Sequence, residues 1–319
     1  MPTEGCRIPQ YSALMSLAPS VYFFFVDGIG IGPGGATNPF DSEGLEGFRK
    51  MTGGRSLIEG QFRDHKGLEG DVPWLNRAID ANLGMDGLPQ SGTGQATLFS
   101  GVNCARIAGR HYGPFPHSSS RPILKERSLF AQVGANDAAF ANAYPERFFE
   151  WARKRDRWST TTRCCLDSGV RIRTMDDLRN GQAIAADLTG RGLSQVASSP
   201  VPTLHERETA ERIRDLTIDH RLVVSEYFHT DKAGHAQDAS AAQRCLTSID
   251  RFLSGLLDTL DFSRTTFVMT SDHGNLEDLS VKTHTRHPVP LIVMGPGSRH
   301  FEGVFDLTGV AGAIMRALD

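Results

Sequence analysis

The chain has no Cys-x-x-Cys pair. Its five cysteines, Cys6, Cys104, Cys164, Cys165 and Cys245, are scattered apart from the vicinal Cys164–Cys165. Neither a zinc–thiolate site nor a disulfide framework is indicated, and the odd count fits a reducing compartment. Membrane-length apolar runs are also missing. The stretch Val21 to Val26 falls far short of the roughly 20 residues that a spanning helix needs. Before it, Met1 to Ser20 mix Pro, Glu, Arg and small residues, with no apolar core of signal-peptide length. We expect a loose extension over 1–19, or an early start upstream of Met15, and a cytoplasmic enzyme that engages no membrane. Excess charge of one sign is lacking too. A net charge of -3 excludes a protein that coats nucleic acid. With 319 residues, 39% hydrophobic and 22% charged, there is room for one large core and a smaller inserted domain.

What is present is a set of polar residues placed at the ends of apolar runs. Thr270-Ser271-Asp272-His273-Gly274-Asn275 closes the run Thr266 to Met269, and His284-Thr285-Arg286-His287-Pro288-Val289-Pro290 follows. Ligands at the carboxyl end of a buried strand point into the crevice where open α/β sheets bind. An anionic oxygen beside a neutral ring nitrogen suits zinc or manganese better than calcium or magnesium. Asp27 closes Val21–Val26 and is followed by Gly28, Gly30 and Gly32, so the backbone turns just after a carboxylate. Asp231-Lys232-Ala233-Gly234-His235 follows another strand-like run, Leu222 to Phe228. Its spacing of four puts both side chains on one face if the segment opens a helix. Leu88-Pro89-Gln90-Ser91-Gly92-Thr93-Gly94-Gln95 is a Gly-rich turn with hydroxyls ahead of Ala96-Thr97-Leu98-Phe99, and such a turn at a helix start suits an anion.

Competing readings exist for these letters. Gly30-Ile31-Gly32-Pro33-Gly34-Gly35 spells the dinucleotide fingerprint, but Pro33 and Pro39 interrupt the helix that should open there. Pro89 stands where a GxSxG elbow needs its first Gly. Ser91 as a mere helix cap and Thr93 as the nucleophile both stay open. Among the histidines, His111, His117, His229 and His287 are close enough to motifs to support a ligand from behind. His65, His205, His220 and His300 read as surface or loop residues.

In order and spacing these segments resemble the alkaline phosphatase superfamily, in particular its branch of cofactor-independent phosphoglycerate mutase and phosphopentomutase. Ser91 precedes Gly94 by three residues, as the branch's nucleophile does, although Gln95 replaces the usual His. His284 matches the metal-binding His of the HTxNPVP run, with His287 where that run has Asn. The resemblance covers roughly Pro19 to Gly113 and Arg221 to Asp319. It implies two divalent metal ions, Zn2+ or Mn2+. Asp231, His235 and His284 would hold one, and Asp27, Asp272 and His273 the other, with Ser91 as an exchangeable ligand. It further implies a phosphoserine at Ser91. Release of the phosphoryl group to water makes a phosphohydrolase, and release to a second hydroxyl makes a mutase or phosphotransferase. Hydrolysis of a small phosphorylated substrate requires fewer special parts and is the expectation. A catalytically inactive binding module is the reading from another class, and the full ligand tally argues against it.

The expected fold is a doubly wound, mainly parallel α/β sheet flanked by helices. Strands should end at Asp27, near His229, at Ser271 and near Gly295. The catalytic domain would comprise 20–113 and 202–319, with an α/β cap inserted over 114–201. Arg outnumbers the carboxylates between Arg106 and Arg221 although the whole chain is at -3, so acidic groups concentrate outside this stretch. Most of these Arg read as a solvated surface. Arg106 and Arg110, beside the nucleophile turn, are the candidates to clamp a phosphate bidentately. Cys245, Ile249, Phe252, Leu253 and Leu256 recur at helical spacing within Ala239 to Leu257, which reads as core packing. The sequence carries no signal of oligomeric state or substrate identity.

Overall fold

A computed structural model describes residues 18–194 and 200–319. Met15, Cys6 and all of the expected extension except Ala18 and Pro19 lie outside the described residues. One seven-stranded sheet organises the molecule. Its strands are β1 (Ser20–Val26), β2 (His65–Glu69), β3 (Val72–Ile79), β4 (Ala138–Phe140), β7 (Leu222–Tyr227), β8 (Thr265–Thr270) and β9 (Val289–Met294), in the order β2-β3-β9-β8-β1-β7-β4. Two short parallel strands, β5 (Ala143–Tyr144) and β6 (Arg173–Thr174), pair separately.

β1 explains the arrangement. All seven of its residues are buried, and strand periodicity sends alternate side chains to opposite faces. Val21, Phe23 and Phe25 enter one core with Leu98, Phe99 and Ile314. Tyr22, Phe24 and Val26 enter the other with Ile213, Ile249 and Phe252. A strand apolar on both faces must be covered on both. The helices Ser91–Ser100 and Thr308–Leu318 cover one side, and Glu206–Asp219 and Ala239–Thr259 the other. The five residues expected to pack from Ala239 to Leu257 are all buried.

β4, β7, β1 and β8 run parallel, and the strand ends fall at Val26, Tyr227, Thr270 and Met294. β9, however, runs antiparallel to β8, and β3 antiparallel to β9. The reversal matters for the site. β9 ends at the far edge of the sheet, but its beginning, and with it the His284 loop, lies at the same end as the exits of β1, β7 and β8.

The stretch 114–201 sends β4 into the main sheet beside β7, and Leu124, Leu129, Phe130 and Cys164 pack into the core shared with Phe23. A small satellite cluster of Ala143, Met175, Leu178, Ala183 and Ala185 sits around β5 and β6. Among the described residues no helix is long and apolar enough to cross a membrane.

Candidate metal centre

Each candidate ligand leaves the sheet at a point its local sequence dictates. Asp27 follows β1 directly, and Gly28 turns the chain at φ +71 with no room for a side chain, since a Cβ there would lie 2.9 Å from Asp231. After β7, Phe228 leads into the helix His229–Ala236, which carries Asp231 and His235 one turn apart. After β8, Asp272 and His273 are fully buried, and the loop closes by a bridge between Gly274 and Thr285 that brings in His284. Ser91 opens the helix Ser91–Ser100, every residue of which is buried. Gly94 lets that helix approach closely, because a Cβ would meet the Asp272 carbonyl oxygen at 2.9 Å.

These elements bring seven of the nine expected residues together. His235 Nε2 lies 3.1 Å from His284 Nε2 and 3.4 Å from Asp231 Oδ2, and His284 Nε2 is 3.5 Å from Asp231 Oδ1. Across the site, His273 Nε2 lies 3.0 Å from Ser91 Oγ, 3.4 Å from Asp27 Oδ1 and 3.5 Å from Asp272 Oδ2. Donor atoms of Asp231, His235 and His284 therefore form one cluster, and those of Asp27, Asp231 and His273 a second. The grouping differs from the expected one in that Asp231 stands in place of Asp272 in the second cluster and so borders both.

The donor chemistry fits divalent ions. His284 Nδ1 donates to the Pro89 carbonyl and His235 Nδ1 to the Lys282 carbonyl, each at 2.7 Å. A neutral imidazole has one N–H, so in the neutral form these rings would turn Nε2 lone pairs toward each other and toward Asp231, a donor set that a cation between them satisfies, as a proton on His284 Nε2 does in its absence. Two ligands bonded tetrahedrally at about 2.0–2.1 Å would be separated by roughly 3.3 Å, close to the spacings within both clusters. Asp27 Oδ1 and Asp272 Oδ1 are buried without any hydrogen-bond partner, which is costly unless a cation compensates. Burial, then the charges of Asp272 and Asp231, push the Asp27 carboxyl well above its usual range. Burial also disfavours charge on Asp231, but hydrogen bonds to His284 and Asn275 and the field of His273 outweigh it and hold this carboxyl low. For His284, the Asp231 hydrogen bond overcomes burial and raises the ring's pKa.

Ser91 is not a helix cap. It is the first helical residue, after an extended Gln90, and its hydroxyl faces His273. Thr93 is fully buried, with its hydroxyl held among the Gln90 carbonyl and the backbone of Tyr112. Arg106 and Arg110 do not line the cavities that reach Ser91. Both are exposed, and Arg110 lies over the Tyr112 ring. The chain itself returns to the turn at Tyr112, whose carbonyl accepts from the Thr93 backbone at 2.9 Å. His287 bonds Glu277 at 3.0 Å and His117 bonds Ser119 at 2.8 Å; His229 stacks on Phe228.

Sequence reasoning missed two organisers. Gln95 donates from one amide nitrogen to both Asp27 Oδ2 and Asp272 Oδ2 at 3.2 Å. Its signal was its position directly after Gly94. Glu277, buried beneath the loops, accepts from the backbone of Gly30 and Asn275 at 2.8 Å and from Thr285 and His287. Only its place two residues beyond Asn275 marked it.

A cavity of about 840 Å³ opens over Asp27, Ser91, Gln95 and Asp231 and extends under the 114–201 stretch, where Phe115, Tyr144, Phe148 and Trp151 line it. A smaller hollow of about 360 Å³ reaches Ser91 from the side of His235 and His284.

Comparison with known proteins agrees with this geometry. A stretch of 98 residues is 33% identical to the 2,3-bisphosphoglycerate-independent phosphoglycerate mutase of Ehrlichia canis, covering 27% of this chain and 20% of that protein. Another, of 142 residues, is 30% identical to the enzyme of the same name from Halobacterium salinarum, covering 40% and 28%. The matched stretches thus span well under a third of those relatives. In fold, the chain is similar to the alkaline phosphatase of Thermus thermophilus, with a TM-score of 0.50, 14% identity, and coverage of 98% and 95% of the two chains. The profile of the Metalloenzyme superfamily matches residues 21–317, nearly the whole chain, and the protein belongs to that superfamily.

Proposed function

We propose that the protein is a two-metal phosphohydrolase that cleaves a phosphate ester through a phosphoserine at Ser91. The observation that carries this reading is the place of Ser91 Oγ, 3.0 Å from His273 Nε2 and on the wall of the cavity that also exposes Asp27 and Asp231. Asp231, His235 and His284 would hold one ion. Asp27, Asp272 and His273 would hold the other, with Ser91 as its exchangeable ligand. When bound, divalent ions, Zn2+ or Mn2+, supply Lewis acidity that makes a serine hydroxyl nucleophilic and neutralises phosphoryl oxygens.

Within this site the chain's own groups divide the work. Gln95 fixes Asp27 and Asp272, and the carbonyls of Pro89 and Lys282 fix the ring orientations of His284 and His235. The positive end of the Ser91 helix favours the phosphoryl group. Ser91 Oγ attacks phosphorus as the bond to the ester oxygen breaks, and water then cleaves the phosphoserine to release phosphate. The stretch 114–201 acts as the cap that shapes the substrate's space.

The test is a panel of phosphate monoesters and diesters with the Mn2+- and Zn2+-loaded protein, joined to acid quenching and mapping of any phosphopeptide. Release of inorganic phosphate with the label on Ser91 is expected. A label on Thr93, or turnover with no label and full activity in Ser91→Ala, would refute the covalent step. Phosphotransfer to a second hydroxyl is the alternative, favoured by the matched mutases and by a cavity roomy enough to retain an intermediate. It predicts an isomerised ester in place of free phosphate.

A further inference from the structure

We infer that the cavity beside Ser91 selects phosphate esters whose alcohol part carries a flat aromatic ring. The inference rests on the reading of Ser91 as the phosphoryl acceptor and deepens it. Six aromatic side chains line the cavity: Phe25, Phe115, Tyr144, Phe148, Trp151 and Phe228. Phe115 and Trp151 lie with ring centroids 6.2 Å apart on one wall, and Tyr144 and Phe148 stack at 4.2 Å on another. Trp151 is 38% exposed, packed beside Phe115 and with the Arg155 guanidinium 5.2 Å from its ring centre.

The polar groups of the cavity point the same way. Glu226 is buried in its floor, but both carboxylate oxygens already accept hydrogen bonds from Tyr144 and Thr161. About half of its acceptor capacity is thereby taken within the protein. Among the described residues, Arg147 and Lys232 are the cationic side chains on the lining, and the Lys232 ammonium sits 4.2 Å over the Phe228 ring. A phosphorylated hydroxy acid or sugar would therefore leave most of its polar atoms against apolar walls, where unpaired polar groups are costly. An aromatic ring gains there both by leaving water and by edge or offset contact with Phe115 and Trp151.

The experiment uses the full-length, metal-loaded protein and matched alkyl compounds, so that leaving-group reactivity does not confuse the comparison. Binding of 2-naphthylmethylphosphonate and ethylphosphonate is measured by calorimetry, and turnover of the corresponding phosphates is measured alongside. The aromatic phosphonate should bind about 30-fold tighter or more. Trp151→Ala should cut that ratio by about tenfold, and Trp151→Phe should restore part of it. Equal affinities, or tighter binding of phosphoglycerate than of the aromatic compound, would overturn the inference even if every ester is hydrolysed. No turnover of any ester, with the aromatic preference in binding intact, would instead remove the proposed hydrolysis and leave the cavity's selectivity standing.

Discussion

The floor and the wall of the cavity are built on opposite principles. The floor gathers Asp27, Asp231, Asp272 and three histidines from loops that leave β1, β7 and β8 and precede β9. Its side chains are polar, and Asp27 and Asp272 are buried with an oxygen that lacks a hydrogen-bond partner, while His235 is exposed. The wall comes mainly from the 114–201 stretch and is aromatic, with the hydroxyls of Tyr144 and Thr161 turned toward Glu226. Unsatisfied polar atoms on the floor wait for ions and phosphate, whereas satisfied ones on the wall expose carbon. On the function proposed above, one region would supply the chemistry of the site and the other its choice of substrate.

The largest expected effect breaks the floor. Prolonged chelation should abolish phosphate release, with Mn2+ or Zn2+ restoring it. Ser91→Ala should lower turnover by at least about a thousandfold while six protein ligands keep the metal content unchanged, as elemental analysis would show. Retained turnover in Ser91→Ala would place the nucleophile elsewhere.

Next, the two histidines of one loop should part company. His284→Ala removes a ring whose Nε2 faces His235 and Asp231 and should cost about a hundredfold or more in activity and metal affinity. His287 touches Glu277 instead, so His287→Ala should cost only a few-fold. Equal losses would show that the loop's ligand has been assigned to the wrong residue.

A smaller effect belongs to the support beneath the floor. Glu277→Ala strips acceptors from Gly30, Asn275, Thr285 and His287 and should lower unfolding stability by about 3 kcal/mol. Denaturant titration of the metal-free protein would reveal it. The smallest effect lies outside both regions. Arg106→Ala and Arg110→Ala should change kcat/KM by less than about twofold, because exposed side chains away from the cavity contribute little. A tenfold rise in KM for either would mean that the substrate reaches further than the cavity does.

The floor was legible in the sequence because each ligand sits where an apolar run stops, beside a glycine or a helix start. β1 shows this most plainly, since seven buried residues can only end in a turn at Asp27 and Gly28. The wall was not legible. Phe115, Tyr144, Phe148 and Trp151 come from separate segments, and only the packing of those segments aims them at one space. The direction of β9 was hidden for a different reason. A strand buried on both faces carries no periodicity that tells parallel from antiparallel. The stretch 114–201 was expected as an insertion, but its hydrophobic pattern could not reveal that β4 would join the main sheet.

One consequence of the strand order concerns length scales. β8, β1 and β7 are immediate neighbours, so the loops bearing Asp272 and His273, Asp27, and Asp231 leave at the interval between hydrogen-bonded strands, roughly 4.8 Å. Paired ions in sites of this kind stand roughly 4 Å apart. The peptide hydrogen bond therefore sets the interval at which the candidate ligands leave the sheet, whatever side chains those positions carry.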